Sequence, residues 1–538
     1  MVSISSEILL PQLIRKQAAD NGGKCYLEEV DGLSQTYEEA HSAAIAWARG
    51  FSAIGLSAED RVLMFLPPKI ETVNIWLGLG WLRAIAVPVN TEYRGQMLSY
   101  VIENSRATVM VCTTGYLHEV LSAGSGGGSA LKTIVVLDNS DGFVPPADSK
   151  YDIMHHRDLI DRGTTNDDEF QGPNPWDIST VMYTSGTSGV SKGVMITWAN
   201  FANGGYRMRP EEMTSEDVMY SYLPLYHVGG TFWLNSVAQV SAKMVLKERF
   251  SLPDVWPDIR RYQCTITFLL GAAVNFITRQ EARPDDADNP LRFAQTQPLP
   301  EDVDAFENRF GLKLYTVYGS TEIGVAMRTD FKRINNTTCG RLFPELEGRI
   351  VDENDYELPH GQVGELVVRS KEPWIISAGY FEMPEATTGA WRNLWYHSGD
   401  GMRRDEDGNF YFVDRIKDSI RRRGENISSL EVEQFVSGFD GILECAAVGV
   451  PSEFGEEDLK ICIVPKPGRT IDEPSLVSYL VDQKVPRFMV PRYVEILSEL
   501  PKTVTGKIQK RKLRDAGEEL KVLSLWDRES SQGERRKA

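Results

Sequence analysis

The fold is decided by one glycine-rich stretch, Tyr183-Thr-Ser-Gly-Thr-Ser-Gly-Val-Ser-Lys-Gly193. It lies between a predicted strand, residues 180–183, and a helix-like segment beyond Trp198. Small residues let main-chain N–H groups approach an anion closely, the hydroxyls add donors, and Lys192 supplies a cation. The stretch is not a Walker A loop, because Lys192 is followed by glycine instead of Ser or Thr. It predicts a phosphate-binding loop, although a Gly/Ser/Thr loop taken alone is equally typical of a flexible turn.

Around this loop, short β-branched runs alternate with segments of helical periodicity. That alternation is typical of parallel sheets with crossover helices. Residues 37–54, for example, place their apolar side chains on one helical stripe. The sequence therefore predicts an α/β fold whose large N-terminal domain has several subdomains built on parallel sheets. The predicted strands are residues 61–66, 107–112, 133–137, 180–183, 218–222, 265–269 and 313–318.

The composition changes near residues 414–423, which read DRIKDSIRRR. A shorter α+β pattern follows, with helices at 429–437 and 474–483 and strands at 444–450 and 458–465. We expect an N-terminal domain at 1–415 and a small, mobile C-terminal α+β domain at 416–520, joined by a charged hinge. Residues 521–538 are charged and Ser-rich, and we expect them to form a disordered tail.

Composition and charge restrict the partners of this protein. The 538 residues carry 58 Lys and Arg against 76 Asp and Glu, a net charge of −18 that opposes general binding to nucleic acid or anionic lipid. The 6 cysteines contain no CxxC pair, which argues against a disulfide scaffold or a zinc site. The start lacks the pattern of a signal peptide, and polar residues interrupt the most apolar stretch. We expect a cytoplasmic protein without integral membrane association; a homodimer is compatible with the sequence but not predicted by it.

The glycine-rich stretch resembles the phosphate-binding signature of the adenylate-forming superfamily. That superfamily contains acyl-CoA synthetases, adenylation domains of peptide synthetases, and firefly luciferases. Ser188 and Ser191 stand where the usual pattern has Thr and Pro. The resemblance implies that ATP phosphates are bound by one set of loop residues: Thr184, Ser185, Gly186, Thr187, Ser188, Gly189 and Lys192.

The segment Tyr318-Gly-Ser-Thr-Glu322 resembles a second signature of the same superfamily. It follows a predicted strand, which places it at the carboxyl end of a sheet, where ligands of open α/β folds bind. The resemblance implies that Tyr318, followed by Gly319, stacks on adenine, that Thr321 contacts phosphate and that Glu322 holds Mg²⁺. Taken alone, the pentapeptide is typical of an ordinary turn.

Two further segments resemble the ribose site and the hinge of the superfamily. Tyr396-His-Ser-Gly-Asp400 is followed downstream by Arg415, and the resemblance implies that Asp400 accepts hydrogen bonds from the ribose hydroxyls. Asp407-Gly408 nearby is better suited to a simple hairpin turn than Asp400 is. Arg415-Ile-Lys417-Asp418 resembles the hinge about which the small domain rotates, with Lys417 as the pivot.

The last two segments of the resemblance concern CoA and catalysis. Ile420-Arg-Arg-Arg-Gly-Glu-Asn426 resembles the loop that lines the pantetheine tunnel of CoA ligases, where Gly424 leaves room for the narrow chain. Its three arginines are equally typical of a solvated basic face. The basic run at 501–514 resembles the terminal signature whose lysine, here Lys507, stabilises charge during adenylation. A basic run can also bind nucleic acid, but this one has no interleaved aromatic residues.

The acyl pocket is the least readable part of the sequence. His227, in Tyr222-Leu-Pro-Leu-Tyr-His227, resembles the histidine that lines or gates this pocket, and the alternative is a satisfied core histidine. Amino-acid-activating members of the superfamily carry an Asp near this position, and none lies between Ser221 and Gly230, so the resemblance argues against an amino-acid substrate. Gln295-Thr-Gln-Pro298 replaces a usual run of small residues, and its amides either shorten the cavity or offer hydrogen bonds to a polar acid.

The resemblance covers nearly the whole chain and implies an ATP-dependent carboxylic acid–CoA ligase, with ATP, Mg²⁺ and coenzyme A as cofactors. A small-molecule carboxylic acid would form acyl-AMP with release of pyrophosphate, and then acyl-CoA and AMP. Among such enzymes, the 421–428 segment is most similar to carnitine/crotonobetaine-type and fatty-acid CoA ligases. The alternatives are an enzyme that passes the acyl group to a carrier protein or oxidises it, a non-catalytic nucleotide-binding relative, and a nucleic-acid binder.

Overall fold

The structure, a computed structural model, describes most of residues 5–529. The parts outside the description are 1–4, 124–128, 138–143, 145, 147–148, 165–168, 185–190, 271–273, 275–276, 279, 301, 332–336, 417, 419, 423–424, 453–456, 484, 503–506, 515–521 and 530–538. The chain divides into two compact units. Unit 1 comprises Met1–Gly348 and Val368–Tyr396, and unit 2 comprises Arg349–Val367 and His397–Ala538.

Strands and helices are numbered in chain order. The described strands are β1 (Cys25–Glu29), β2 (Ser34–Thr36), β3 (Arg61–Phe65), β4 (Ile85–Pro88), β5 (Val109–Thr113), β6 (Thr133–Leu137), β7 (Asp152–His155), β8 (Ile178–Thr184), β9 (Lys192–Thr197), β10 (Val218–Ser221), β11 (Lys243–Leu246), β12 (Ile266–Leu270), β13 (Phe293–Gln297), β14 (Lys313–Tyr315), β15 (Val317–Ser320), β16 (Gly324–Arg328), β17 (Thr338–Leu342), β18 (Leu346–Val351), β19 (Gly364–Ser370), β20 (Tyr396–Arg404), β21 (Phe410–Arg415), β22 (Ile420–Arg422), β23 (Glu425–Ile427), β24 (Ile442–Pro451), β25 (Glu457–Pro465), β26 (Tyr493–Leu497) and β27 (Val522–Asp527).

The helices alternate with these strands through most of the chain. They are α1 (Leu10–Asn21), α2 (Tyr37–Ala53), α3 (Ile70–Leu82), α4 (Gly95–Asn104), α5 (Thr114–Ala123), α6 (His156–Gly163), α7 (Trp198–Met208), α8 (Val228–Gln239), α9 (Leu252–Arg261), α10 (Val303–Phe310), α11 (Pro384–Ala390), α12 (Ser429–Ser437), α13 (Glu473–Asp482) and α14 (Lys510–Arg514). Short 3₁₀ turns lie at Ser6–Ile8, Arg392–Leu394 and Arg487–Met489.

Unit 1 contains two largely parallel sheets. One has the order β7-β6-β5-β3-β4-β8-β9 and is parallel except for β9, which runs antiparallel to β8. The other has the order β14-β13-β12-β10-β11-β1-β2, with β2 as its antiparallel edge. Their Val- and Ile-rich strands are almost entirely buried, as expected for parallel sheets covered by helices on both faces. The predicted α/β fold is confirmed.

Local sequence explains where the predicted helix at 37–54 begins and which face it buries. The Thr36 side chain accepts from the Glu39 N–H, and the Glu39 carboxylate accepts from the Thr36 N–H, so a capping box starts α2 at Tyr37. Trp47 and Phe51 are buried on the stripe that faces the core. The helix prediction is confirmed to within one residue.

Unit 2 is built mainly from antiparallel strands. Its four-stranded sheet has the order β24-β25-β26-β27, and a short hairpin pairs β22 with β23. The predicted helix at 429–437 coincides with α12, and the predicted strands and second helix match β24, β25 and α13 to within two residues. The limits 1–415 and 416–520 remain a prediction.

Two sequence predictions are wrong in detail. An unpredicted strand, β9, separates the glycine-rich loop from helix α7, so this loop joins two antiparallel strands instead of a strand and a helix. The expected disordered tail contains β27, which pairs antiparallel with β26 from Tyr493↔Asp527 to Leu497↔Val522. The short apolar run Val522–Trp526 supplies this strand, and the charged residues around it concealed it in the sequence.

Two expectations from the sequence can be compared directly with the structure. All 6 cysteines are free, so no disulfide holds the fold together. Within the described residues, no helix combines the length and the apolar character needed to cross a bilayer.

Candidate functional site

The glycine-rich loop connects β8 to β9. Thr184 lies directly opposite Lys192 in this ladder, and its Oγ1 donates to the Lys192 carbonyl over 3.4 Å. Tyr100 donates its hydroxyl to the Ser191 carbonyl at 3.0 Å, which fastens the second end of the loop to α4. The two ends of the predicted phosphate loop therefore meet at one edge of the sheet. The loop residues that lie outside the described part are Ser185, Gly186, Thr187, Ser188 and Gly189.

Tyr380 connects the cation of this loop to the predicted magnesium ligand. Its hydroxyl donates to Glu322 Oε1 at 2.9 Å, and the Lys192 ammonium lies 4.7 Å from the centre of its ring. Burial, followed by the charge of Glu322, raises the pKa of the Tyr380 hydroxyl, so the phenol remains a hydrogen-bond donor at neutral pH. A cation and a carboxylate are thus held on two sides of one aromatic residue.

Tyr396 extends this group, which we call the unit 1 cluster: Lys192, Glu322, Tyr380 and Tyr396. Burial, then the charges of Glu322 and Tyr380, raise the pKa of the Tyr396 hydroxyl, and its hydrogen bond with Ser320 acts in the opposite direction. Two protonated phenols therefore face the Glu322 carboxylate. Of these two phenols, Tyr380 donates directly to Glu322, whereas Tyr396 is hydrogen-bonded to Ser320.

Sequence reasoning missed Tyr380 because no local pattern marks it. It is separated from Glu322 by 58 residues and joins the site through an isolated antiparallel bridge to Val194 on β9. The chain beside β9 is further held by the Met195 N–H, which donates to the Gly379 carbonyl at 2.9 Å. The strand β9, itself unpredicted, thus holds this segment beside the end of the loop.

The predicted adenine segment forms a tight antiparallel hairpin instead of a simple extension of a parallel strand. Tyr318 and Gly319 lie in β15, paired with β16, and Thr321 follows at its end. A Cβ on Gly319 would lie 2.0 Å from the Gly324 carbonyl oxygen, so no side chain fits there. Tyr318 is buried, with 8% of its surface exposed. The turn holds Glu322 close to Tyr380, and the Ser377 N–H donates to the Glu322 carbonyl at 2.7 Å.

His227 lies at a helix start beyond the carboxyl end of a parallel strand. β10 ends at Ser221, and α8 begins at Val228 immediately after the histidine. Its ring is half-buried and lies 4.9 Å from that of Tyr226. This is the edge of an open α/β sheet at which ligands bind, and the acyl-pocket role of His227 stays a prediction.

The two predicted glutamines lie in β13 and have different surroundings. Gln297 donates its amide to the Val317 carbonyl at 3.0 Å, which ties β13 to the strand that carries Tyr318. Gln295 is 3% exposed, and its Oε1 has no hydrogen-bond partner among the described residues. Gln297 is therefore used to hold the hairpin, while the Gln295 amide oxygen remains available within the fold.

Unit 2 brings three predicted site residues together: Asp400, Arg415 and Lys507, which we call the unit 2 cluster. Asp400 and Arg415 are paired across β20 and β21, and Arg415 Nε lies 3.4 Å from Asp400 Oδ1. Asp400 is largely buried, whereas nearly half of the Arg415 side chain is exposed. An acceptor carboxylate is thus held beside a cation at a strand edge.

Lys507 completes this cluster. Lys507 as a whole residue is exposed to solvent. Protein atoms near its ammonium nevertheless lower the pKa of that group by desolvation, and the charge of Arg415 lowers the pKa further. Asp400 acts in the opposite direction. Lys507 is therefore near enough to both residues to sense their charges, and its proton is held less tightly than that of an ordinary lysine.

The hinge and tunnel predictions fall mostly outside the described residues, which include neither Lys417 nor Gly424. Arg422 is described and does not lie on a solvated face. Its side chain is 3% exposed, with Nε 3.3 Å from Asp458 and Nη2 3.4 Å from Glu529. Its Nη1 also donates to two main-chain carbonyls, so this arginine is a structural ion-pair residue.

Several cations of the basic run at 501–514 have carboxylate partners within unit 2. Lys510 lies 2.8 Å from Glu433, and Arg514 lies 2.9 Å from Asp418. Lys502 pairs with Glu444. These pairs neutralise part of the run, which weakens the interpretation of the run as a nucleic-acid surface.

The sequence matches two family models in order along the chain. Residues 14–381 match the model described as AMP-binding enzyme, and residues 431–507 match the AMP-binding enzyme C-terminal domain. The first match alone covers well over half of the chain.

Individual proteins agree with these matches. The crotonobetaine/carnitine–CoA ligase of Salmonella paratyphi C is 30% identical over 471 residues, which cover 86% of this chain and 90% of the relative. The crystal structure of ATP-bound MatB from Rhodopseudomonas palustris has a TM-score of 0.82 at 23% identity and covers 94% of this chain and 98% of its own. A benzoate CoA ligase from Burkholderia xenovorans LB400 gives a TM-score of 0.79 at 22% identity, with 94% and 99% covered. The two structures share the fold.

Proposed function

Because the chain belongs to the family of AMP-binding enzymes, we propose that it is an AMP-forming carboxylic acid–CoA ligase. It activates a small carboxylic acid with ATP as an acyl-adenylate and then transfers the acyl group to coenzyme A. The observation that carries this proposal is the unit 1 cluster, in which Tyr380 holds a phosphate-loop cation and a carboxylate together. That combination suits a magnesium-bound nucleotide.

In the first reaction, a carboxylate oxygen of the substrate attacks the α-phosphorus of ATP, and the bond to pyrophosphate breaks. We assign charge stabilisation to Lys192 and the loop that begins at Thr184, and to Lys507, whose ammonium neutralises charge on the attacking carboxylate and the transferring phosphoryl group. Tyr318 would stack on adenine, Thr321 would contact phosphate, and Asp400 with Arg415 would hold the ribose. His227 would line the acyl pocket.

The residues present fit a magnesium ion at Glu322. Among the described residues, no group of three or more His, Cys, Asp or Glu side chains forms a closed metal site. Magnesium commonly binds through one or two carboxylates together with substrate phosphates, and a single glutamate at the phosphate edge suits this arrangement. When bound, the ion would neutralise phosphate charge, and Tyr380 orients the Glu322 carboxylate that holds it.

In the second reaction, the CoA thiolate attacks the acyl carbon and AMP leaves. We assign the change between the two reactions to rotation of residues 416–520 about Lys417, which withdraws Lys507 and presents the CoA path near Gly424. This assignment derives from the resemblance to CoA ligases. The relative named crotonobetaine/carnitine–CoA ligase supports CoA, instead of a carrier protein, as the acceptor.

We further propose a cytoplasmic enzyme that acts without nucleic acid. The absence of disulfides among its cysteines supports a reducing compartment, and the net charge of −18 with the paired basic run supports the absence of a nucleic-acid partner. Sedimentation velocity will determine whether the chain forms the homodimer with which its sequence is compatible.

Pyrophosphate release tests the proposal across a panel of carboxylic acids, each with and without CoA. The panel includes crotonobetaine, carnitine, benzoate, short and long fatty acids, and amino acids as the expected negative set. We expect ATP-dependent pyrophosphate release with at least one non-amino acid, and acyl-CoA with AMP only when CoA is present. AMP and pyrophosphate without acyl-CoA would favour the carrier-protein alternative, and no release with any acid would contradict the ligase proposal.

A further inference from the structure

Glu365 fastens the segment of β20 that carries Asp400. Its Oε2 accepts a hydrogen bond from His397 Nδ1 at 2.9 Å, and its Oε1 accepts one from the Gly399 N–H, also at 2.9 Å. The side chains of Glu365 and His397 are 13% and 4% exposed. Both oxygens of one largely buried carboxylate thus hold two of the three residues that precede Asp400, namely His397 and Gly399.

Further hydrogen bonds hold the same segment of β20 in place. Ser398 Oγ donates to the Leu366 carbonyl at 2.6 Å and accepts from the Asp400 N–H at 3.1 Å. Gly399 has a φ of +70°, a conformation that glycine adopts without strain. The Gly399 carbonyl accepts a hydrogen bond from the Ile416 N–H at 3.0 Å, which joins this segment of β20 to the residue after Arg415.

His397 has a second carboxylate on its other side, since its Nε2 lies 3.8 Å from Asp355 Oδ1. Burying an imidazole and two carboxylates is costly unless they interact with one another. A strand that served only the sheet would need no such groups. Their cost is explained if this segment of β20 must present the Asp400 side chain in one orientation, because ligand groups bind best when their support is already ordered.

We propose that Glu365 and His397 are positioning residues for the nucleotide ribose. They hold Ser398 and Gly399 of β20 so that the Asp400 carboxylate, paired with Arg415, is ready to accept hydrogen bonds from the ribose hydroxyls. This inference rests on the proposed function, because it takes Asp400 as the ribose acceptor. It predicts a loss that is selective for the ribose hydroxyls, whereas a purely structural role predicts loss of all nucleotide binding alike.

The test compares the binding of ATP with that of 2′,3′-dideoxy-ATP, measured by calorimetry without a carboxylic acid. The wild-type protein is expected to bind ATP more tightly. Glu365→Ala should weaken ATP binding by about tenfold and leave dideoxy-ATP binding nearly unchanged, because a hydrogen bond to a charged group is worth about a factor of ten or more. In turnover, the same variant should raise KM for ATP more than it lowers kcat.

Conservative variants separate positioning from folding. Glu365→Gln retains an acceptor for the Gly399 N–H, and His397→Asn retains a donor near the Nδ1 position, so both should recover most of the preference for ATP that Glu365→Ala and His397→Ala lose. The matched control is Glu357→Gln, a half-exposed carboxylate of the same unit that pairs with Arg349 and Arg404. Its ATP preference should equal that of the wild type.

A double variant tests whether the effect passes through Asp400. Asp400→Asn should itself abolish most of the ATP preference, and adding Glu365→Ala to it should cause no further selective loss. Equal weakening of ATP and dideoxy-ATP in Glu365→Ala, or additive losses in the double variant, would overturn the inference. These outcomes differ from failure of the proposed function, in which the wild-type protein releases no pyrophosphate with any acid.

Discussion

The unit 1 cluster and the unit 2 cluster hold their charged groups by different physical means. The unit 1 cluster relies on an uncharged residue, since the Tyr380 hydroxyl and ring contact Glu322 and Lys192. The unit 2 cluster relies on charges that act on one another, with Asp400 beside Arg415 and both affecting Lys507. Phenols that remain protonated over a wide pH range give a fixed site, whereas neighbouring cations give one that responds to pH.

This comparison suggests a division of work between the units. Binding a magnesium nucleotide requires a constant arrangement, which the unit 1 cluster provides. Catalysis by a lysine requires an ammonium that can interact with the reacting groups, and the lowered pKa of Lys507 reflects its partly desolvated position. Four variants test this contrast between the two clusters.

The largest effect is expected for Lys507→Ala. Adenylate formation should fall by about 10²–10³-fold, the usual cost of removing one preorganised charge-stabilising group. Thioester formation from supplied acyl-adenylate should be spared, because that reaction does not use this ammonium. Pyrophosphate exchange and acyl-CoA formation measure the two halves, with Lys502→Ala, in the same basic run, as the control. Equal losses in both halves would contradict the assigned role.

Tyr380→Phe should have the next largest effect. It keeps the ring beside Lys192 but removes the hydrogen bond to Glu322, and we expect a loss of about tenfold in kcat/KM for ATP, the value of one hydrogen bond to a charged group. The half-saturating magnesium concentration should also rise. Tyr356→Phe, at a tyrosine that is 73% exposed, is the matched control. Unchanged ATP and magnesium dependence would show that the hydroxyl has no positioning role.

A smaller effect is expected in the pH dependence of adenylation. Because the pKa of Lys507 lies below that of an ordinary lysine, its ammonium is present at low pH and is lost as pH rises through this lowered value. Activity should therefore decline on the alkaline side earlier than it would with an unperturbed lysine. In Lys507→Arg, whose guanidinium stays charged, the alkaline decline should move to higher pH. An identical decline in both proteins would assign it to another group.

The smallest effect concerns the C-terminal strand and tests whether ion pairing also stabilises unit 2 away from its cluster. Arg492 lies 2.7 Å from Asp458 and 3.3 Å from Asp527 of β27. Asp527→Asn removes the second contact and should lower the free energy of unfolding of unit 2 by about 1 kcal/mol. Urea unfolding followed by Trp526 fluorescence measures it, with Asp440→Asn, in an exposed pair, as the control. A loss no larger than that of the control would show that this pair contributes nothing.

Local sequence patterns predicted elements well where periodicity and capping agree. Helix α12 has the predicted limits, and the strand at 133–137 is reproduced without change. Local sequence patterns failed to predict an element where pairing with another strand defines it. β9 is a strand because β8 lies beside it, and β27 is a strand because β26 offers an edge, so neither is visible in a charged or glycine-rich local sequence.

The residues of the candidate site also fall into those that the sequence predicted and those that it did not. Motifs in the sequence identified Glu322, Asp400, Arg415 and Lys507, and the structure groups the last three together. The side chains that hold them were not identified, because Tyr380, Glu365 and His397 contact their targets across long sequence separations or through the main chain. A supporting residue has no chemistry of its own that a short motif would reveal.

The sequence by itself determined the type of fold and the residues with reactive chemistry, because strand and helix periods and short motifs depend on neighbours along the chain. Tertiary structure alone decided which side chains orient them and which cations are already paired, as Arg422 is by Asp458 and Glu529. The physical reason is that hydrogen bonds and ion pairs depend on distance in space, and residues far apart in the chain become neighbours only when the sheets form.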